Sequence, residues 1–224
     1  MQVEIWSDIA CPWCYVGKRR FEAALAAFEH REDVQLTWRA FELDPNAPHR
    51  LEVDAAQHLA DKYGTSLEGA RAMHARMTET AAGEGLDFRF DIARRGNTFD
   101  AHRVVHLAAV HGLQDAMKER IMRAYLTDGE LVSDHDVLRR LAAEVGLPAD
   151  EVADLLAGDL YGEEVRADER TAGQLGINAV PFFVVDRRFG ASGAQPPEVL
   201  LELLRQAQPI EVVADGATCG PDGC

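Results

Sequence analysis

The chain has 224 residues, of which 47% are hydrophobic and 27% charged, a composition typical of one large or two small globular domains. Its 38 acidic residues outnumber its 23 lysines and arginines, which gives a formal net charge of −15. Because an acidic surface repels phosphate groups and anionic lipids, we expect neither nucleic acid nor a membrane among its partners.

The first 45 residues predict a β-α-β unit. Gln2–Trp6 predicts a short strand, and a helix is predicted from Cys14 to about His30. Apolar and polar residues then alternate over Val34–Ala40, which predicts a second strand with one buried face. No signal-peptide pattern precedes the first strand, so we expect a cytoplasmic protein, in a compartment that keeps most thiols reduced.

The middle of the chain predicts helices only. Seven segments carry apolar residues at helical spacing: Val53–Tyr63, Ser66–Ala82, Thr98–Val110, Leu113–Leu126, Asp134–Val145, Ala149–Leu156 and Tyr161–Leu175. A brief alternation over Leu86–Asp91 is too isolated among helices to predict a strand. We therefore expect an inserted, all-helical domain over residues 47–175.

The last part of the chain returns to strands. Phe182–Val185 predicts a strand covered on both faces, Phe189–Ser192 an edge strand, and Pro197 opens a helix that runs to about Gln206. The sequence thus predicts an α/β protein with β-α-β and β-β-α halves. Residues 1–46 and 176–210 would form one discontinuous domain, and residues 211–224 a flexible tail.

Cys11 and Cys14 form a Cys-Pro-Trp-Cys motif where the first helix is predicted to begin. The unpaired N–H groups and partial positive charge of a helix N-terminus stabilise a thiolate, which is the attacking species in disulfide exchange. Cys14, one turn further, is then positioned to resolve the mixed disulfide. Pro12 suits the first helical turn, and Trp13 offers an apolar surface beside the sulfur.

Cys219 and Cys224 form a second close pair, separated by the turn-forming residues Gly-Pro-Asp-Gly. They are a candidate second redox pair that exchanges with Cys11 and Cys14, although a passive or metal-scavenging tail is an alternative. All four cysteines could instead form a structural zinc site, and the first pair could be inert. The β-α-β context favours a redox role for Cys11 and Cys14.

Pro181 directly precedes the predicted buried strand. A proline there cannot donate to a sheet, so it belongs at a strand start or in a cis turn. A cis Val180–Pro181 bond would leave the backbone of Val180 free to pair with an extended substrate next to Cys11. A trans proline before the strand is the alternative.

Two polar clusters have less specific interpretations. His102 and His106 are predicted on one face of a helix, either as satisfied or exposed histidines or as residues lining the substrate groove; no metal-binding motif surrounds them. The basic run Lys18–Arg20 is interpreted as a solvated helix face, with a role in favouring the thiolate or an acidic peptide as the alternative. No phosphate-binding glycine loop is present, so we predict neither a cofactor nor a metal.

Several stretches together resemble a known family. They are Ser7–Glu22, Phe41–Pro45, Asn97–Ala108, Gly176–Asp186 and Phe189–Pro196. They resemble the thioredoxin-fold thiol oxidoreductases related to the disulfide-bond enzyme DsbA, in particular the cytoplasmic FrnE-like branch, over roughly residues 2–207. The resemblance implies a thioredoxin fold with the helical domain inserted between its two halves.

The resemblance also implies the roles of individual residues. Cys11 would be the nucleophile, Cys14 the resolving thiol, and Val180–Pro181 the cis-proline loop, with His102 in the substrate groove. The implied activity is that of a protein disulfide reductase or isomerase, with disulfide-bearing proteins as substrates and a thioredoxin- or glutathione-type reductant.

Trp13 departs from the periplasmic relatives, which often have histidine at this position. Tryptophan supplies no positive charge to the thiolate, so we expect a less oxidising pair than in those enzymes.

Two other functions are considered. One is a glutathione-dependent transferase of the kappa class or a 2-hydroxychromene-2-carboxylate isomerase; these share the architecture but use a serine near the position of Cys11, so the presence of both cysteines argues against them. The other is a non-enzymatic metal-binding or chaperone-like module.

Overall fold

A computed structural model describes residues 1–208 and contains one mixed β-sheet. Its strands are β1 (Gln2–Ser7), β2 (Gln35–Ala40), β3 (Phe182–Val185) and β4 (Phe189–Ser192). The order across the sheet is β2-β1-β3-β4; β1 runs parallel to β2 and antiparallel to β3, which pairs antiparallel with β4. The β-α-β and β-β-α halves therefore meet at the β1–β3 pair.

The helices of the described residues are α1 (Pro12–Ala26), α2 (Ala55–Tyr63), α3 (Leu67–Gly83), α4 (Phe99–Val110), α5 (Gln114–Leu126), α6 (His135–Val145), α7 (Ala149–Ala157), α8 (Gly162–Gln174) and α9 (Pro197–Gln206). Helices α2–α8 all lie between β2 and β3 in the chain, so the predicted thioredoxin fold with a helical insertion is confirmed. Helix α1 ends four residues earlier than predicted. Its apolar spacing stops near Phe28, and a short 3-10 turn at Arg31–Asp33 leads into β2.

The helical insertion covers the free edge of β2. The side-chain amide of Gln114 accepts from the backbone N–H of Trp38 at 2.9 Å and donates to its carbonyl at 3.0 Å, as a neighbouring strand would. The indole of Trp38 donates to Asp115 at 2.9 Å. One hydrophobic cluster joins the sheet to α4, α5 and α6 across the predicted boundary, and the domain limits stay predictions.

The basic run after the cysteine motif is not a solvated face, so that prediction is wrong. The side chain of Lys18 is only 2% exposed and pairs with Glu22, with Asp115 at 3.1 Å and with Glu119 at 3.3 Å. Three carboxylates compensate its burial, and two of them come from α5. The basic residues therefore fix α1 against the insertion.

Two sequence expectations concern residues outside the described part. The predicted tail, with Cys219 and Cys224, lies beyond residue 208, so the second redox pair stays a prediction. Within residues 1–208, no helix combines the length and the apolarity that crossing a membrane requires.

Candidate active site: a dithiol beside a deep cavity

Cys11 and Cys14 lie at the N-terminus of α1, as predicted. Cys11 is the N-cap residue, Pro12 occupies the first turn, and the N–H of Cys14 donates to the carbonyl of Cys11 at 3.0 Å. Both are free thiols. Cys11 is 5% exposed and lines a cavity, whereas Cys14 is completely buried and does not. Only Cys11 is therefore open to a bound substrate, which fits an attacking thiol followed by a buried resolving thiol.

Behind Cys14 lies a buried lysine that sequence analysis did not identify. Lys118 of α5 is completely buried, and its ammonium group donates to the carbonyl of Ser7 at 3.0 Å. Burial lowers the pKa of Lys118 to about 8, although the charges of Cys14 and Asp8 oppose this shift. Burial raises the pKa of the Cys14 thiol well above its ordinary value, and Lys118 acts in the opposite direction. The lysine thus favours the Cys14 thiolate.

The Val180–Pro181 segment lies directly against the dithiol. The peptide bond between these residues is cis, and the thiol of Cys11 lies 3.7 Å from the carbonyl oxygen of Val180. Pro181 packs on Gly17 of α1 so closely that a Cβ atom at Gly17 would lie 2.8 Å from its ring. Glycine at position 17 therefore lets the loop approach the helix that carries the cysteines.

Asp8 anchors the chain that leads into the motif. Its carboxylate accepts from the N–H of Leu43 at 2.8 Å and of Ala10 at 3.3 Å, and lies 3.4 Å from Nε2 of His102. Burial alone raises the pKa of Asp8, but the contacts with His102 and Leu43 lower it by more. Asp8 is therefore a buried carboxylate that ties the β1–α1 turn to the loop after β2.

His102 is not in the substrate groove, so that expectation needs correction. Its side chain is 1% exposed, does not line the cavity, and faces Asp8 from behind the motif. Burial lowers its pKa below the usual value, and the contact with Asp8 opposes this shift. One turn later, Nε2 of His106 lies 3.0 Å from the Asp168 carboxylate, to which the N–H of Ala40 donates at 2.9 Å. Both histidines therefore pack beneath the site.

A cavity of about 830 Å³ opens beside Cys11, Pro12 and Trp13. Trp13 is 46% exposed and forms part of its wall, as its predicted role beside the sulfur requires. The opposite walls come from the loop after β2, from α2 and α3, and from the segment before α4. In the part of the chain that the structure describes, no group of three or more histidine, cysteine and acidic side chains is arranged to hold a metal ion.

The chain is similar to several known proteins. It is 48% identical to the probable DsbA oxidoreductase SCO1869 from Streptomyces coelicolor, whose crystal structure superposes with a TM-score of 0.89 over 100% of this chain and 98% of that one. The protein YwbO of Bacillus subtilis (strain 168) is 26% identical over 187 residues, which are 83% of this chain and 86% of YwbO. Cytosolic disulfide reductase DsbM from Pseudomonas aeruginosa, solved with GSH, is 20% identical and shares the fold, with a TM-score of 0.66 over 92% of this chain and 98% of DsbM.

A family model, the DSBA-like thioredoxin domain, matches residues 2–205. This match spans nearly all of the described residues, and the chain belongs to that family.

Proposed function

We propose that this member of the DSBA-like thioredoxin family is a thiol–disulfide oxidoreductase that works through Cys11 and Cys14 as a reductase or isomerase. The observation that carries the proposal is the asymmetry of the two thiols. Cys11 lines the cavity at the start of α1, and Cys14 is fully buried one turn further. A substrate disulfide can reach the sulfur of Cys11. The buried sulfur of Cys14 can then attack only the sulfur of Cys11.

The proposed reaction has two exchange steps. The Cys11 thiolate attacks one sulfur of the substrate disulfide, forms a mixed disulfide and releases the other sulfur as a thiolate. Cys14 then gives up its proton and attacks the Cys11 sulfur, which forms the Cys11–Cys14 disulfide and releases the second substrate thiolate. The substrate gains two electrons and the protein loses two.

Lys118 has a defined part in the second step. Cys14 is buried, so its thiolate needs a nearby positive charge or a base that takes its proton. Lys118 offers the charge below a pH of about 8 and the base above it. Its hydrogen bond to the carbonyl of Ser7 holds the ammonium group beneath the dithiol.

We propose a cytoplasmic location and reduction of the Cys11–Cys14 disulfide by a thioredoxin- or glutathione-type thiol. DsbM is a cytosolic disulfide reductase solved with GSH, and this suggests the class of reductant to test first. Cys11 also argues against the alternative of a glutathione-dependent transferase or a 2-hydroxychromene-2-carboxylate isomerase, in which a serine is expected near this position. That alternative predicts glutathione-conjugation turnover in a protein that lacks Cys14.

A trapping experiment tests the proposal. In a Cys14→Ser variant that also carries Cys219→Ser and Cys224→Ser, Cys11 can still attack a disulfide but no thiol can resolve the product. We expect one mixed disulfide per chain to accumulate at Cys11 on reaction with a small disulfide, as measured by intact mass and peptide mapping. The matched variant with Cys11→Ser should remain unmodified, because Cys14 does not line the cavity. Modification of Cys14 in the Cys11→Ser variant would reject the proposal. Glutathione-conjugation turnover by the Cys14→Ser variant would also reject it.

A further inference from the structure

The cavity beside Cys11 carries positive charge although the chain is strongly acidic. Lys62 of α2, Arg76 of α3 and Arg95 of the segment before α4 all line it, against a formal net charge of −15 for the chain. Two carboxylates, Asp8 and Asp44, also line it; Asp8 is buried and bound by backbone N–H groups, and Asp44 is exposed at the rim. The cations therefore outnumber the carboxylates in the lining by three to two.

None of the three lining cations is at ion-pair distance from a carboxylate among residues 1–208. Cations nearby in the chain differ in this respect, because Arg50 pairs with Glu52 at 2.8 Å and Arg89 with Asp91 at 2.9 Å. An unpaired cation is ordinary on an exposed surface, but a cation partly withdrawn from water favours a partner. Lys62 and Arg76 are exposed, so this argument applies to Arg95, which is partly buried and therefore available to an anion that enters the cavity.

Arg95 is the most deeply held of the three. It is half-buried, and its backbone carbonyl accepts from the N–H of Leu51 at 2.9 Å, which fixes the segment. Burial lowers the pKa of His58 and His74, and the guanidinium charge of Arg95 lowers each of them further. The Arg95 guanidinium therefore lies close enough to both imidazoles to disfavour their protonation, in a part of the cavity that all three side chains line.

Much of the remaining lining is apolar. It includes Leu59, Met73, Met77 and Phe90, and the ring of Phe90 stacks on His74 with centroids 4.3 Å apart. Methionine and aromatic side chains accommodate flat apolar groups well. The cavity volume of about 830 Å³ lies within the range of small-molecule sites, roughly 300–1,000 Å³. Its walls come from separate segments of the chain.

We propose that the cavity selects a small disulfide with an apolar, aromatic body and a carboxylate, which Arg95 binds while the disulfide reaches Cys11. This inference rests on the proposed function and narrows its substrate from a disulfide-bearing protein to a compact anionic molecule. Cys11 forms a bond to one sulfur as the S–S bond breaks and one thiolate leaves; Cys14 then displaces the second thiolate. The protein is oxidised to its Cys11–Cys14 disulfide and needs a thiol reductant to react again.

Two probes that differ in charge test the proposal. Dithiobis(nitrobenzoate) is an aromatic disulfide with a carboxylate on each ring, and dithiodipyridine is a neutral aromatic disulfide. The reduced protein with Cys219→Ser and Cys224→Ser has Cys11 and Cys14 as its only thiols. Stopped-flow absorbance then gives the rate of thiolate release against probe concentration, and with it a half-saturation concentration for each probe.

We expect Arg95→Gln to raise the half-saturation concentration of the anionic probe about tenfold, the effect of losing one charge-assisted hydrogen bond. That of the neutral probe should change less than about twofold, the scale of a near-neutral surface change. Arg94→Gln is the matched control, because Arg94 is next to Arg95 in the chain but is exposed and does not line the cavity. This variant should change the half-saturation concentration of neither probe. Arg95→Lys should restore part of the binding of the anionic probe.

The wild-type protein provides an independent test that needs no variant at the cavity. Added salt should weaken binding of the anionic probe and leave the neutral probe unaffected, because screening acts on the charge. Equal effects of salt, or of Arg95→Gln, on both probes would overturn the proposal and leave the dithiol mechanism intact. Failure of both probes to oxidise the Cys11–Cys14 pair would instead contradict the proposed function.

Discussion

Replacing Cys11 by serine is expected to reduce the rate of disulfide reduction by on the order of 10⁴-fold or more, because a hydroxyl group has no accessible anion at neutral pH and cannot form the mixed disulfide. Cys14 cannot substitute for it, since it is completely buried behind Cys11 and does not line the cavity. The measurement is a single-turnover reaction of the reduced protein with a small disulfide, followed by thiolate release.

A matched variant separates this effect from that of the second cysteine pair. With Cys219→Ser and Cys224→Ser and an intact Cys11–Cys14 pair, the single-turnover rate should stay close to that of the wild type, because one turnover needs only the first pair. Serine is nearly isosteric with cysteine, so Cys11→Ser should leave the thermal unfolding transition near its wild-type position. Retained reduction by a folded Cys11→Ser protein would rule out Cys11 as the nucleophile.

Replacing Lys118 by methionine is expected to slow the resolution of the mixed disulfide by about 10²-fold at neutral pH, the lower range for loss of a general acid–base group. The initial attack by Cys11 should change little, so the mixed disulfide should accumulate transiently. The wild-type rate of resolution should change with pH around 8, where Lys118 titrates, and this inflection should be absent in Lys118→Met. Rapid acid quench and mass spectrometry separate the two steps.

The free energy of unfolding provides a second measurement, in which we expect Lys118→Met to have a favourable rather than an unfavourable effect. The pKa of Lys118 is lowered from 10.5 to about 8 on folding, so its burial as a cation destabilises the fold below pH 8 by on the order of 3 kcal/mol. The unfolded chain binds more protons between about pH 8 and 10.5, and the wild type therefore gains stability from this group as pH rises through that window. In Lys118→Met, loss of the hydrogen bond to Ser7 offsets about 1 kcal/mol of the stability gained by removing the buried cation.

Lys118→Met should thus unfold at higher urea concentration than the wild type at pH 7, with the difference narrowing toward pH 10.5, and yet resolve the mixed disulfide more slowly. If the role of Lys118 were purely structural, Lys118→Met would instead lower the stability of the protein and leave the rate of resolution unchanged. Normal resolution with an unchanged pH profile would contradict the role assigned to Lys118.

Local sequence signals accounted for most of the secondary structure. Helix N-caps illustrate this: the side chains of Asp54, Ser66 and Asp134 accept the first free N–H groups of α2, α3 and α6. Glycines in the left-handed region end α2 and α6, at Gly64 and Gly146. Such signals act over a few residues, and the predicted boundaries of these helices were close to those observed.

The inner parts of the site could not be predicted in the same way. Lys118 is one cation on an amphipathic helix, where the usual expectation is exposure; its burial follows from the packing of α5 beneath the dithiol. His102 illustrates the reverse error, because its position near the site was inferred but its orientation toward Asp8 was not. The cavity is assembled from segments that lie far apart in the chain, so its charge and apolar lining emerge only in three dimensions.

The reduction potential of the Cys11–Cys14 pair, measured in a graded thiol–disulfide redox buffer, tests the central claim most directly. We predict one reversible two-electron transition, at a potential clearly more reducing than the roughly −120 mV of DsbA and nearer the range of about −180 to −270 mV of isomerases and thioredoxin. The physical reason is that Trp13 contributes no positive charge to the Cys11 thiolate. A pair that forms no reversible disulfide, or one as oxidising as DsbA, would contradict the account.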